Sequence, residues 1–362
     1  MTTTPTPEVI RAALAYISAN LPRDEWARVG MAIKSEFPDD TGRELFTEWS
    51  ATAEGFDPKA TRSTWQSIKA GGGVGIGTLL HLAKSHGFTL PKPDQAPAQP
   101  DPATVARLAS ERAAKQQADN LHVGAAHDHA ASEAALLWQQ ASETGDSAYL
   151  TRKGVQSHGV RFAADGCVLV PLIDASGKLW NLQRIAPSKP ANGGTDKLFL
   201  KGGRKSGLWH LIGELGTDPA GPAVVLIGEG YATCASLHES TGRPVAVAFD
   251  AGNLAHVAKA LHQAHPAALI VICGDDDAAT HARTGHNPGR DKATAAARAV
   301  AGLAVFPEGL PVGASDFNDL HAAAGLDTVR LLIEAAIDAH QAKQTAPQST
   351  QATKQGQRTK PK

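Results

Sequence analysis

Glu229 stands between two glycines at the end of an apolar run, VVLIGEGYATCASL (residues 224–237). A second run, LIVICGDDDAAT, ends in Asp275, Asp276 and Asp277. Asp250 closes a third (VAVAFD), and Asp316 and Asp319 follow a fourth in SDFNDL. Open α/β sheets bind ligands outside the carboxyl ends of their strands, so these carboxylates are expected on one rim. Like charges held close raise one another's pKa unless something compensates them. A divalent cation does so. Oxygen ligands without cysteine or a suitable histidine point to Mg2+ or Mn2+ rather than zinc. Asp275 and Asp277, two residues apart, are the expected core of that metal site. Such a site keeps open positions for phosphate oxygens, which is the equipment of phosphoryl transfer. The competing reading is a set of helix N-caps, and Asp250 before AGNLAHVAKAL is a candidate for one. Glu is a poor N-cap, and a Glu between glycines together with D-x-D favours the metal.

The cations to match are in KLFLKGGRKSG. Lys197, Lys201, Arg204 and Lys205 lie on or beside a glycine turn, where backbone amides and charged side chains can both approach phosphate. The alternative there is a solvated surface turn. Lys292 and Arg298 come after the D-x-D and are read either as facing phosphate or as surface charges. G-x-x-x-x-G-K-[ST] is absent, so no ATP-driven engine is expected.

These residues need a scaffold, and the chain is long enough for one. It has 362 residues, 42% hydrophobic and 20% charged, with a net charge of −1. No global basic excess signals nucleic acid, although only the local distribution matters for a phosphate backbone. No run reaches the roughly 18 apolar residues of a membrane span, and the first residues do not read as a secretion signal. A cytoplasmic location and no membrane partner are expected. Cys167, Cys234 and Cys273 are single and read as small buried hydrophobes. The HDH at 127–129 lacks partner cysteines and is not read as zinc.

Residues 1–90 are expected to form a helical domain, with Val9, Ile10, Leu14 and Ile17, then Trp26, Val29, Ile33 and Phe37, at helical spacing. Trp26, Trp49 and Trp65 read as packing rather than as stacking platforms. A Pro/Ala-rich linker and one or two connecting helices fill 91–145. Residues 146–220 read as a basic, β-rich α+β part, with a hairpin around DASGK. Residues 221–342 alternate strands (223–228, 245–249, 268–273, 303–306) with helices (231–240, 252–264, 291–301), which predicts a doubly wound parallel α/β sheet. A basic tail, 343–362, is expected to be disordered.

At the Glu-Gly and D-x-D positions the chain resembles the Toprim superfamily, found in bacterial-type primases, topoisomerases and some nucleases. YLTRKGV, LWNLQRIAP, FLKGGRKSGLWHLIG, VAFDAGNL, NPGRDKA and DFNDL extend the resemblance to primases of conjugative plasmids and mobile elements, over about residues 146–340. WARVGMAIKSEF, FTEWSA, TWQSI and GIGTLLHLAKSHGF resemble the helical PriCT-2 module. The resemblance implies a Rossmann-like Toprim sheet. It gives Glu229 an acid/base or metal-positioning role, Asp275 and Asp277 the metal, and Asp316 and Asp319 a second metal or triphosphate-metal contact. It implies a primase acting on single-stranded DNA with ribonucleoside triphosphates, the basic part guiding template and nucleotide and a helicase acting in trans. Replicative primases carry Asp four residues after the Glu, where this chain has Thr233. One ligand is therefore either missing or supplied by Asp250 or Asp276. Rival readings are a Toprim nuclease and a non-catalytic accessory protein that binds single-stranded DNA. A topoisomerase would need a tyrosine nucleophile, and Tyr16, Tyr149 and Tyr231 sit in packed contexts.

Overall fold

The computed structural model describes residues 5–69, 73–91, 102–191, 193–215 and 223–345. The expected disordered tail from 346 onward lies outside them, as does most of the expected linker, 92–101. The chain divides into two units, residues 1–121 and 122–362.

The first unit is helical: α1 (Pro7–Leu14), α2 (Arg23–Glu36), α3 (Asp40–Ser50), α4 (Pro58–Ser67) and α5 (Ile76–Ser85). Asp39 and Asp57 cap α3 and α4, each accepting backbone N–H groups of the first turn. Ile10, Ile33, Leu45, Phe46, Trp49, Trp65 and Leu79 form the core. Trp26 Nε1 donates to Ser50 Oγ (3.0 Å) and Trp49 Nε1 to the Ile17 carbonyl (2.9 Å). These tryptophans pack, as expected. The stretch read as one or two connecting helices is a single 39-residue helix, α6 (Pro102–Gln140), and the division between units falls within it.

The second unit continues with α7 (Ala148–Lys153) and an antiparallel meander, β1 (Arg161–Phe162), β2 (Val168–Ile173), β3 (Leu179–Ile185) and β4 (Lys197–Phe199). The hairpin at DASGK joins β2 to β3. Then come β5 (His210–Ile212), β6 (Val224–Gly228), α8 (Tyr231–Thr241), β7 (Val245–Val247), α9 (Leu254–Ala264), β8 (Leu269–Cys273), α10 (Ala278–Thr284), α11 (Pro288–Arg298), β9 (Leu303–Val305), α12 (Phe317–Ala324) and α13 (Leu326–Thr345). The second sheet has the order β5-β7-β6-β8-β9, with β6 to β9 mutually parallel. β5 departs from the sequence reading. It comes after the basic turn yet leaves the meander, pairing antiparallel with β7 so that His210, Leu211 and Ile212 face Val247, Ala246 and Val245.

Alternation explains why both faces of this sheet are covered. Val224, Leu226, Val245, Val247, Val271 and Cys273 face the core that contains Leu237 of α8, Leu320 of α12 and Ile333 of α13. Their neighbours Val225, Ile227, Ala246, Ile270 and Ile272 face Val257 and Leu261 of α9 and Ala293 and Ala296 of α11. Strands buried on both sides read as continuous apolar runs, which is how they appear in the sequence. Among the described residues no helix is long and apolar enough to cross a membrane.

Candidate active site

Gly228, the last residue of β6, lies opposite Val247 on one side and Cys273 on the other. Glu229, Asp250 and Asp275 therefore leave the sheet at the same edge. The chain runs from β6 to β7 on one side and then crosses to β8 on the other. That reversal opens a crevice between β6 and β8, with Glu229 at one lip and Asp275 at the other. Glycines let a helix pack closely against each lip. A Cβ at Gly228 would lie 2.8 Å from Cys234 Sγ, and one at Gly289 would lie 2.5 Å from the Asp275 carbonyl oxygen.

Burial first, then the charges of Asp277 and Asp250, push the Glu229 carboxyl up to about 7; Lys292 opposes this. Burial, then Glu229, Asp316 and Asp277, push Asp275 up to about 8, with Lys197 opposing. Glu229 Oε1 and Asp275 Oδ1 are buried without any hydrogen-bond partner. An unsatisfied buried carboxylate oxygen costs on the order of 1–3 kcal/mol or more, so both are set for something that is not protein. A hard cation fits them. Among the described residues no three acidic, His or Cys groups close into a ready cage. A cation held here would take one or two carboxylates from the protein and keep several waters.

The other acids divide clearly. Asp277 Oδ2 accepts the Gly289 N–H (2.9 Å), and Asn287 Oδ1 accepts the Asp277 N–H (3.1 Å), so the start of α11 holds the acidic loop in place. Asp276 accepts from Asn287 Nδ2 (2.6 Å) and Arg290 NH1 (2.8 Å). Both its oxygens are engaged by residues of the α11 start. Asp316 and Asp319 form a capping box on α12: Asp316 Oδ1 accepts the Asp319 N–H, and Asp319 Oδ2 accepts the Ser315 and Asp316 N–H groups. Asp319 Oδ1 lies 4.0 Å from Lys153 Nζ. The geometry thus makes Asp319 part of a helix cap, the role that competes with metal binding for every acid on this rim. Asp316 keeps Oδ2, which accepts from Thr233 Oγ1 (3.2 Å), and its charge reaches Asp275. Asp250 pairs with Lys205, and its Oδ1 accepts the Asn253 N–H (3.0 Å).

The cations divide as well. Lys197 is half-buried, and its desolvation lowers its pKa, against the charges of Asp196, Asp316 and Asp275. Its Nζ is 3.7 Å from where a Gly230 Cβ would stand. Arg204 stacks 5.1 Å from the Trp180 ring, Lys205 holds Asp250, and Lys201 is exposed. Lys292 lies in the first turns of α11 and acts on Glu229, whereas Arg298 sits at the far end of that helix. All three tyrosines are buried, with Tyr231 fixed to His158 and Gln156.

Sequence reasoning missed Asn253. It is buried; its Oδ1 accepts the Gly207 N–H (2.8 Å) and its Nδ2 donates to the Leu208 and Ala248 carbonyls (3.0 and 2.9 Å). One amide therefore ties the basic turn to the acidic rim. DAGNL draws attention to Asp250, which accepts the Asn253 N–H; Asn253 holds the N-cap position of α9, but its side chain is turned to these other partners. The adjoining Phe249 takes φ 72°, a strained conformation for a bulky residue and one that gathers at functional sites. Asn253→Ala strands three backbone groups, two of them buried. It is expected to destabilise the chain by about 2–4 kcal/mol and to lower its melting temperature in a thermal scan. An unchanged melting temperature would show that the clamp contributes nothing.

The domain family described as Primase C terminal 2 (PriCT-2) matches residues 10–83, and the Toprim domain family matches residues 224–327. Two Escherichia coli proteins described as DNA primase TraC are similar. One is 41% identical over 213 residues, 57% of this chain and 19% of the relative; the other is 45% identical over 161 residues, 44% and 11%. The matched stretch thus spans less than a fifth of either relative. Among solved structures, the DnaG catalytic core covers 59% of this chain and 80% of its own at 16% identity and a TM-score of 0.39. The primase fragment of the bacteriophage T7 primase-helicase covers 52% and 73% at 18% identity and a TM-score of 0.35.

Proposed function

We propose that this chain, which carries a PriCT-2 and a Toprim domain, is a DNA primase joining ribonucleotides on a single-stranded DNA template. The observation that carries the reading is the crevice between β6 and β8. There Glu229 and Asp275 present buried, unpartnered oxygens near the half-buried Lys197. A structural relic would not be expected to keep two such oxygens unsatisfied. The identity to DNA primase TraC supports the same activity.

The residues divide the work. Asp275, with Asp277 beside it, would hold Mg2+ or Mn2+; Asp316 Oδ2 and Asp250 complete the negative rim. When bound, the cation neutralises charge on the transferring phosphate and orients it. Glu229, with a carboxyl raised to about 7, is matched to accept the proton of an attacking 3′-hydroxyl near neutral pH. Lys197, Lys205 and Arg204 supply fixed positive charge to a triphosphate or template phosphate, and Lys201 and Lys292 extend that field. Thr233 stands where a further carboxylate would be, and its hydroxyl holds Asp316 in place. Strand opening is assigned to a helicase partner acting in trans.

The test is primer synthesis on circular single-stranded DNA with labelled ribonucleotides, with Mg2+ or with EDTA. Short labelled RNA that needs the metal is the expected product. A shortened template would replace the proposal with a nuclease. Bound but unextended template would leave an accessory binding protein.

A further inference from the structure

We propose that the exposed face of α4 in the helical unit, Lys59, Arg62 and Gln66, with Lys69 just beyond it, binds the phosphate backbone of single-stranded DNA. The inference goes beyond the primase reading and does not rest on the crevice or its metal.

Charge in this unit is segregated. Residues 5–57 carry ten Asp and Glu against five Lys and Arg. Residues 58–93 carry Lys59, Arg62, Lys69, Lys84 and Lys92 and no acid at all. The change falls at the cap of α4. Asp57 is the last acid before that stretch, and its Oδ1 is occupied by the Lys59 and Ala60 N–H groups (2.8 and 3.2 Å). Elsewhere in the unit Arg11 pairs with Glu48 and Arg43 with Asp40, while Arg23 and Arg28 stand singly among the acids of that segment. Lys59, Arg62 and Lys69 are exposed and have no ion-pair partner among the described residues.

The rest of α4 fixes that face outward. Thr61, Thr64 and Trp65 are buried on the opposite side, against the core that contains Phe46. Lys34 Nζ donates to the Trp65 and Ile68 carbonyls (2.6 and 3.0 Å), holding the end of α4 and adding positive charge behind it. At 1.5 Å of rise per residue, Lys59, Arg62 and Gln66 form a row about 10 Å long, and Ile68 then turns extended so that Lys69 leaves the axis.

The chemistry of the face selects its partner. It offers two cations, an amide and a third cation, with no apolar side chain that a protein core would need. The aromatics of this unit are spent in its core: Trp49 and Trp65 are buried, and Trp26 packs partly buried against them. No ring on this face is free to stack on a base. Charge and hydrogen bonding toward phosphate oxygens remain, and these position a strand without reading its sequence.

The test is binding of the full-length chain to fluorescein-labelled oligo(dT) by anisotropy, in EDTA, over a salt series. Each phosphate neutralised contributes a slope of about −0.7 in log K against log [salt] for a single strand. The triple substitution Lys59→Gln, Arg62→Gln and Lys69→Gln is expected to make the slope shallower by about 2 and to weaken binding at low salt. A mixed-sequence oligonucleotide should bind as oligo(dT) does. A control triple, Arg23→Gln, Arg28→Gln and Arg43→Gln, removes the same charge from α2 and α3 and should leave the slope in place. Equal loss in both triples would reduce the effect to net charge and overturn the proposal, and so would no loss in either. Retained DNA binding with lost binding of poly-L-glutamate would assign the face to an acidic polypeptide and overturn it too. Because EDTA removes the cation, a chain that made no primers would still give a clear result.

Discussion

Asp275→Asn is expected to lower Mg2+-dependent primer synthesis at least about 100-fold, the scale on which losing one preorganised electrostatic group acts, while leaving the chain folded. The side chain keeps its size and loses its charge. Asp275 sits where burial, Glu229, Asp316 and Asp277 all oppose ionisation, so the neutral amide relieves repulsion and the metal-free protein should melt higher than wild type. Activity and stability therefore move in opposite directions, a pair of readings that a merely structural residue would not produce. Glu229→Gln belongs to the same experiment. If Glu229 takes the proton, its loss costs about 10²–10⁴-fold in rate with metal affinity largely kept. If Glu229 is instead a ligand, metal affinity falls with the rate. Wild-type activity in Asp275→Asn would remove the metal from the D-x-D and with it the proposed mechanism.

Much of this site is legible in the sequence because parallel strands buried on both faces leave unmistakable apolar runs. The residue after such a run must leave the sheet at its carboxyl edge. Glu229 directly after VVLIG, and Asp275 one glycine beyond LIVIC, can be placed together on that ground. The ends of elements are less legible. Asp316 and Asp319 sit three apart at a helix start, a spacing equally suited to a capping box and to a metal, and only the hydrogen bonds decide between them. Asp276 lies within the same acidic run as Asp275, yet Asn287 and Arg290 from eleven and fourteen residues on occupy it. The partnership of Asn253 with Gly207 spans 46 residues and three strands of the second sheet, β5, β6 and β7. No local pattern encodes such a contact, because it exists only once β5 has crossed to pair with β7. β5 itself escapes sequence reasoning for the same reason: three residues, His210 to Ile212, carry too short an alternation to say which sheet they join.

The metal-free protein should lose stability as pH rises from about 5 to 9, and Mg2+ should restore it. The folded chain holds the Glu229 carboxyl near 7 and that of Asp275 near 8, against ordinary values of 4.5 and 3.8. Over the interval between, the unfolded chain has already released protons that the folded chain still binds. Stability therefore falls with pH there. The favourable contribution is complete below about pH 4, where both states are protonated, and is lost as pH passes through 7 to 8. A cation takes the place of those protons, so binding it releases them. Its apparent affinity should rise about tenfold or more between pH 6.5 and 8 and level off above about 8, where no proton remains to be displaced. Thermal scans at a series of pH values, with and without Mg2+, read both effects, and calorimetry in two buffers of different ionisation enthalpy counts the protons. In Asp275→Asn the pH slope should flatten, leaving the smaller contribution of Glu229. A melting temperature that rose with pH in the absence of metal would mean that these carboxyls ionise as ordinary surface groups do, and that the crevice is not built around a cation.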